Sequence, residues 1–201
     1  MNQLFGERLT LDWRVATITV VSTLLLIVDR YVEFTSLKYI DRVLLYLAVP
    51  LLLTVVVLRE SPATYGFRLG DWRAGLVFTS GAALFMGPVV WWLGSHVPSI
   101  RDYYLPLNSG LPWTTLLDLI GWEFLFRGWI LFAYARRFGA EALWVQAVPF
   151  ALAHIGKPAL ETYSTIFGGF ILGWIAYRTR SFLWAFLVHW FIGTLIIIAA
   201  A

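Results

Sequence analysis

The sequence contains no cysteine, and only 13% of its 201 residues are charged. The absence of cysteine excludes disulfide bonds, thiolate metal ligands and cysteine nucleophiles, although it does not identify the cellular compartment. Soluble domains of this size carry about a quarter charged residues. Here 60% of the residues are hydrophobic and the mean hydropathy is +0.75. The expected solvent of most of this chain is therefore lipid.

Long linkers, low-complexity tails and basic clusters interleaved with aromatic residues are also missing. Without a linker, the sequence predicts one integral membrane domain over residues 1–201. The net charge of +3 is explained by loop residues between spans, so we predict no nucleic-acid binding. The patterns H-E-x-x-H and G-x-S-x-G do not occur, so the common zinc-protease and serine-hydrolase signatures are absent.

Seven apolar segments approach or exceed the length of about 20 residues that a membrane-spanning helix needs. They are 13–29, 43–58, 74–95, 111–135, 140–156, 160–177 and 181–201. The sequence therefore predicts an all-α, polytopic transmembrane bundle of about seven spans, with six to eight as the range. The first segment reaches Asp29 without a small-residue cleavage site, so we expect it to stay attached. In the sixth, Gly169 and Gly173 predict close approach of a neighbouring helix.

Basic residues are distributed unequally between the two ends of these spans. Nine lie at the end that contains Arg8 and Arg14, five lie at the other end, and Arg127 lies inside a span. Lysine and arginine in short loops favour the cytoplasmic side. We therefore expect a cytoplasmic N-terminus.

Titratable side chains interrupt three of the most apolar segments. Glu123 and Arg127 lie in the segment 111–135, His154 lies at the end of the next segment, and His189 lies in the last. Ionisable groups at bilayer depth cost several kcal/mol unless they pair or face a cavity. At about 1.5 Å of rise per residue, Glu123 lies roughly 18 Å, His154 roughly 21 Å and His189 roughly 12 Å from the cytoplasmic ends of their spans. We therefore expect an intramembrane polar cavity.

Glu123 and Arg127 are four residues apart, a spacing at which opposite charges on a helix can pair. A structural ion pair and a catalytic role both fit this spacing, because an arginine also favours the ionised form that a general base requires. Two imidazoles and a carboxylate can also bind zinc. The site is therefore expected to hold either a divalent metal on His154, His189 and Glu123, or no cofactor and an acid–base set around water.

Three short patterns occur in order on these segments: Glu123-Phe-Leu-Phe-Arg127-Gly128, Phe150-Ala-Leu-Ala-His154 and His189-Trp-Phe-Ile-Gly193. They resemble the motifs Glu-Glu-x-x-x-Arg, Phe-x-x-x-His and His-x-x-x-Asn of the CPBP family of intramembrane proteases. That family includes CAAX prenyl endopeptidases and bacterial Abi and bacteriocin-processing proteins. The resemblance extends from the segment beginning near Pro62 almost to the C-terminus, about residues 60–198.

The resemblance implies a helical endopeptidase that hydrolyses a peptide bond with a water molecule activated by glutamate and histidine. By position, it assigns catalytic roles to Glu123, Arg127, His154 and His189. It further implies that the substrate is a membrane-associated or lipidated peptide or protein. We expect the location to be a prokaryotic plasma membrane.

Two positions depart from the family pattern. Trp122 stands where the first glutamate, usually assigned as the base, would be, and Gly193 stands where an asparagine usually helps to stabilise the oxyanion. Tryptophan cannot accept a proton, so another carboxylate is needed as the base. The sequence offers Glu123 itself or Glu161. For Glu161 an interfacial ion pair with Lys157 is the alternative role.

Two other functions fit the same residues. A relative that has lost catalysis and binds or scaffolds a partner would explain Trp122 and Gly193. A small proton-coupled transporter would also use buried glutamate, histidine and arginine. The transporter is disfavoured because the sequence has no visible inverted repeat or matched pair of broken spans.

Overall fold

The computed structural model describes residues 11–201, which contain helices and no strand. In this part of the chain the main helices are α1 Trp13–Tyr31, α2 Lys38–Val56, α3 Trp72–His96, α4 Pro98–Tyr104, α5 113–138, α6 Ala142–Leu152, α7 Ala159–Thr179 and α8 Phe182–Ala200. The middle of α2, Leu44–Ala48, is π-helical. All but the short α4 correspond in order to the predicted segments. The prediction of an all-α bundle of about seven spans is confirmed. Arg8, which entered the orientation argument, lies outside the described residues.

Three helices of the described part, α2, α3 and α8, are long and apolar enough to cross a membrane. Only 6% of the most apolar window of α3 is buried inside the bundle. Large apolar side chains such as Val77 and Phe85 are correspondingly exposed on its surface. Monomeric soluble proteins rarely expose apolar surfaces of this extent. The chain is an integral membrane protein.

Helix α5 changes its hydrogen-bonding pattern in the middle of the bundle. Its first part is the α-helix Trp113–Glu123, its centre is the π-helix Phe124–Ile130, and its last part is the α-helix Leu131–Phe138. π-helical segments are rare and occur frequently at functional sites. The π-helix of α5 begins directly after Glu123 and contains Arg127, and both residues belong to the predicted site.

Glycines allow α6 and α7 to lie close together, as the sequence predicted. A β-carbon added at Gly169 would lie 3.1 Å from Cβ of Ala147, and one added at Gly173 would lie 2.5 Å from Nε2 of Gln146. Gln146 Nε2 also donates to the carbonyl oxygen of Gly169 over 2.8 Å. This contact fixes α6, whose end leads into His154.

Helix α6 ends earlier than the apolar segment 140–156 suggests. Its 11 residues, Ala142–Leu152, extend only roughly 16 Å at the rise of an α-helix. The chain then turns through Gly156, whose φ of 103° lies in the region that favours glycine. His154 therefore lies just beyond a helix end instead of inside a helix.

The remaining helices pack around the π-helical part of α5 and the end of α6. Helix α3 packs along α8, and α2 packs against α5. The largest fully buried side chains of the core are mainly aromatic and include Trp129, Tyr46, Phe124, Phe126 and Phe150. Glu123 and Arg127 of α5 are thus enclosed in a largely aromatic core.

Candidate active site

A cleft of about 160 Å³ opens at the end of the bundle where α1 ends and α7 begins. Its charged and titratable lining residues are Arg30, Arg42, Tyr103, Asp118, His154, Lys157 and His189. Two predicted site residues, His154 and His189, therefore line the same cleft from different elements. A larger depression of about 290 Å³ lies at the opposite end of the bundle, around Asp71 and Arg178, and none of the predicted site residues lines it.

Glu123 and Arg127 form the i,i+4 ion pair that their spacing predicted. Arg127 Nη1 donates to Glu123 Oε1 over 3.0 Å, and both side chains are 0% exposed. The guanidinium of Arg127 also lies 3.7 Å from the centre of the Phe150 ring. Pairing and the aromatic face both offset the cost of burying these charges.

His189 contacts the same carboxylate oxygen from α8. Its Nδ1 lies 2.6 Å from Glu123 Oε1. Because the carboxylate paired with Arg127 is an acceptor, Nδ1–H of His189 donates, and Nε2 of the neutral ring keeps its lone pair. A carboxylate behind an imidazole fixes the tautomer and orientation of the ring. Glu123 thus supports His189 from outside the cleft, since it is not among the lining residues.

The end of α6 orients His154. Its Nδ1 lies 2.7 Å from the carbonyl oxygen of Phe150, and a carbonyl oxygen can only accept, so Nδ1 carries the proton. The backbone N–H of His154 bonds to Ala151 instead, which leaves the Phe150 carbonyl among the unpaired acceptors of a helix end. In the neutral ring, Nε2 is then a proton acceptor.

Glu161 lies outside the cleft lining. Lys157 Nζ donates to its Oε1 over 2.8 Å, and the hydroxyl of Tyr104 lies 2.7 Å from each carboxylate oxygen. The pair with Lys157, which the sequence offered as the alternative role, is therefore formed. Burial, followed by the negative charge of Glu161, raises the pKa of Tyr104, so its hydroxyl remains a hydrogen-bond donor.

Neither position that departs from the family pattern supplies a side-chain proton acceptor. The Trp122 ring is 6% exposed and packs 5.5 Å from the Tyr46 ring, centroid to centroid. Its centroid lies 5.7 Å from that of the His154 ring. A β-carbon added at Gly193 would lie 3.0 Å from Cδ1 of Leu119. Helix α8 therefore approaches α5 closely at that point.

Asp118 and Arg42 are cleft residues that the sequence patterns did not single out. Arg42 Nη1 donates to both carboxylate oxygens of Asp118, over 2.7 and 2.9 Å. Its Nε lies 3.6 Å from Asp29 Oδ2. The one available signal was that Asp118 precedes Trp122 by four residues, and so shares its face of the helix.

The predicted metal ligands do not fit a zinc ion in this arrangement. Among residues 11–201, no group of three or more histidine, cysteine, aspartate or glutamate side chains is placed to hold a metal ion. Glu123 Oε1 is engaged by both Arg127 and His189. Glu123 and His189 are therefore joined to each other by a hydrogen bond, and His154 is held separately by the end of α6.

Comparison with protein families gives a match to part of the chain. Residues 108–195 match the family model described as type II CAAX prenyl endopeptidase Rce1-like. The predicted CPBP resemblance is confirmed. The matched residues extend from α5 to most of α8 and include every predicted site residue, together with Asp118. Comparisons with curated proteins and with solved structures gave no match.

Proposed function

We propose that the protein is an intramembrane endopeptidase that hydrolyses a peptide bond in the cleft between α5, the end of α6 and α8. The observation that carries this proposal is the arrangement of His154 and His189. Both line one cleft, both have Nδ1 engaged, and both keep Nε2 for a proton. Histidine is the commonest general acid–base residue. The match to CAAX-type proteases supports the same activity.

The two imidazoles orient the attacking water and accept hydrogen bonds from the reacting groups through Nε2. The water oxygen bonds to the peptide carbonyl carbon, and the C–N bond then breaks as the amine receives a proton. Glu123 and Arg127 are positioning residues, because they hold His189 and lie outside the cleft. Glu161 holds Lys157 at the cleft and so keeps a positive charge there.

The proposed substrate is a peptide or protein that is embedded in the membrane or carries a lipid. Helices α2 and α8 are apolar enough to span a membrane, carry exposed apolar side chains and contribute residues to the cleft, so a lipidated chain can approach it without leaving the bilayer. The family match supports this substrate class. The control substrate is the same peptide without a lipid.

The test uses purified protein in liposomes and two fluorescence-quenched peptides. One peptide carries a farnesylated cysteine three residues before its C-terminus, and the other is the same peptide without the lipid. We expect cleavage of the lipidated peptide, with oxygen from ¹⁸O-labelled water in the new carboxylate. His154→Ala and His189→Ala should each lower kcat by about 10²–10⁴-fold.

The third histidine provides the matched control. His96 is exposed at the end of α3, so His96→Ala should keep the activity of the wild type. Melting temperatures of all three variants in detergent show that they fold. If His154→Ala and His189→Ala cleave as fast as His96→Ala, the proposed chemistry is wrong.

Trp122 favours a second candidate function, a membrane binding or scaffold protein with the same fold and no hydrolysis. Its ring stands where the family pattern has a base and contacts His154. This candidate predicts that the farnesylated peptide binds without being cleaved. Fluorescence anisotropy of a labelled, unquenched peptide, measured beside the cleavage assay, separates the two functions.

A further inference from the structure

The carboxylates around the cleft differ in their access to it. Glu123 is fully buried, its Oε1 is shared by Arg127 and His189, and its Oε2 is buried with no hydrogen-bond partner. Glu161 lies outside the cleft lining and accepts hydrogen bonds from Tyr104 and Lys157. Within the described part of the chain, Asp118 is the one carboxylate that lines the cleft. Its side chain is 27% exposed.

Arg42 fixes the Asp118 carboxylate. A single nitrogen, Nη1, donates to both oxygens, so each oxygen keeps lone-pair capacity for a water molecule. The guanidinium is itself held by the Trp122 ring, whose centroid lies 5.0 Å away, and by Asp29. Hydrogen bonds to a paired charge of this kind are strong and well oriented.

Asp118 also stands in a position that compensates for Trp122. It precedes Trp122 by four residues within the regular α-helix Trp113–Glu123. Residues with this spacing lie above one another on the same face, roughly 6 Å apart along the axis. Trp122 itself packs against His154 and lines the deeper part of the cleft. The proton acceptor is thus moved one helical turn towards the cleft mouth.

We infer that Asp118 is the general base of this site and that Arg42 is its positioning residue, an inference that rests on the proposed endopeptidase function. A water molecule between Asp118 and His154 gives one proton to the carboxylate, and its other hydrogen points to Nε2 of His154. The water oxygen forms a bond to the peptide carbonyl carbon, and the carbonyl π electrons move onto the carbonyl oxygen. When the C–N bond breaks, the protonated Asp118 returns its proton to the leaving amine. The products are a carboxylic acid and an amine, and Asp118 is again a carboxylate.

Access of solvent to position 118 can be tested without any substrate. Because the chain has no cysteine, single-cysteine variants report access with no background. Asp118→Cys should react with a charged methanethiosulfonate reagent at a rate close to that of Asp102→Cys, which lies at an exposed position. Ala147→Cys, at a position that is 0% exposed, should remain unreacted. If Asp118→Cys is as inert as Ala147→Cys, the inference is wrong.

The kinetic test uses the farnesylated quenched peptide. Asp118→Asn keeps an oxygen acceptor for Arg42, so the melting temperature and KM should change little while kcat falls by about 10²–10⁴-fold. Asp118→Glu restores a carboxylate and should recover part of kcat. Arg42→Lys should give an intermediate kcat, because one donor remains. The control Asp102→Asn should keep the activity of the wild type.

The outcomes separate this inference from the proposed function. If the wild type cleaves and Asp118→Asn cleaves equally fast, Asp118 is not the base, and the endopeptidase function stands. If Asp118→Asn loses melting temperature and activity together and Asp118→Glu rescues neither, the Asp118–Arg42 pair is structural and the inference is wrong. If the wild type cleaves neither peptide, both the proposed function and the inference are wrong.

Discussion

His189 Nδ1 and Glu123 Oε1 lie 2.6 Å apart although 66 residues separate them in the sequence. This contact joins α8 to α5 through the interior of the bundle. Arg127 contacts the same oxygen from within the π-helical segment of α5. One buried carboxylate therefore serves a cation and an imidazole at once, and the stability of the core is linked to the orientation of His189.

Removal of the cation from this cluster should be strongly destabilising. We expect Arg127→Met to lower the free energy of unfolding by about 3–5 kcal/mol, because it leaves the Glu123 carboxylate buried without its charge partner. Chemical unfolding in detergent measures the effect. The exposed Arg137 supplies the control Arg137→Met, which should change little. The double variant Glu123→Leu with Arg127→Met should be more stable than Arg127→Met alone; a double variant that is less stable would argue against an uncompensated charge as the cause.

Close packing between α6 and α7 should depend on Gly169 and not on the neighbouring Gly168. Gly169→Leu should destabilise the protein by about 1–3 kcal/mol, because a side chain there meets Phe150 and Ala147 at 3.0–3.2 Å. It should also lower activity, since α6 leads into His154. Gly168 has nothing within 4 Å of an added β-carbon, so Gly168→Leu should be tolerated. Equal melting temperatures for the two variants would contradict this packing.

Glu60 should make part of the stability dependent on pH. It lies between α2 and α3, where Arg136 Nη1 donates to it over 3.0 Å and the Tyr65 hydroxyl over 2.5 Å. Partial burial alone would raise the pKa of Glu60, but the hydrogen bonds from Arg136 and then Tyr65 outweigh burial and lower it below 4.5. A carboxylate whose pKa is lowered on folding stabilises the folded state at pH values above its pKa in the unfolded chain. That contribution is lost as the pH falls through its pKa in the folded protein.

The difference in melting temperature between the wild type and Glu60→Gln reports this contribution. We expect the wild type to be more stable at neutral pH and the difference to shrink as the pH falls below 4.5. A difference that stays constant over this range would show that the carboxylate charge of Glu60 does not contribute.

Orientation in the membrane can be measured because the chain has no cysteine. If the N-terminus is cytoplasmic, a membrane-impermeant maleimide should label Asp102→Cys in intact cells. Arg137→Cys should become labelled only after permeabilisation. Both positions are exposed and lie at opposite ends of the bundle. The reverse pattern would overturn the predicted orientation and would put the cleft mouth on the cytoplasmic side.

Local features of the sequence predicted much of this architecture. The length of each apolar segment predicted the order of the long helices, because crossing a bilayer requires a fixed number of residues. The Glu123–Arg127 pair follows from the four-residue spacing alone. Close approach at Gly169 and Gly173 likewise follows from their small side chains.

Contacts between distant segments could not be predicted in this way. Arg42 and Asp118 are 76 residues apart, and Tyr104 and Glu161 are 57 residues apart. Their partners are set by how helices pack, which one sequence does not reveal. The π-helical segment of α5 had no local signal either. The sequence therefore identified both cleft histidines and missed Asp118, the one carboxylate among residues 11–201 that lines the cleft.

The short length of α6 has a consequence for the protonation of the site. The Phe150 oxygen that orients the imidazole is available only because the helix stops early. With one more helical turn, a backbone N–H would donate to the Phe150 oxygen, and the His154 ring could adopt its other tautomer. We therefore expect an insertion that extends α6 beyond Leu152 to abolish the proposed activity, although every motif side chain would still be present.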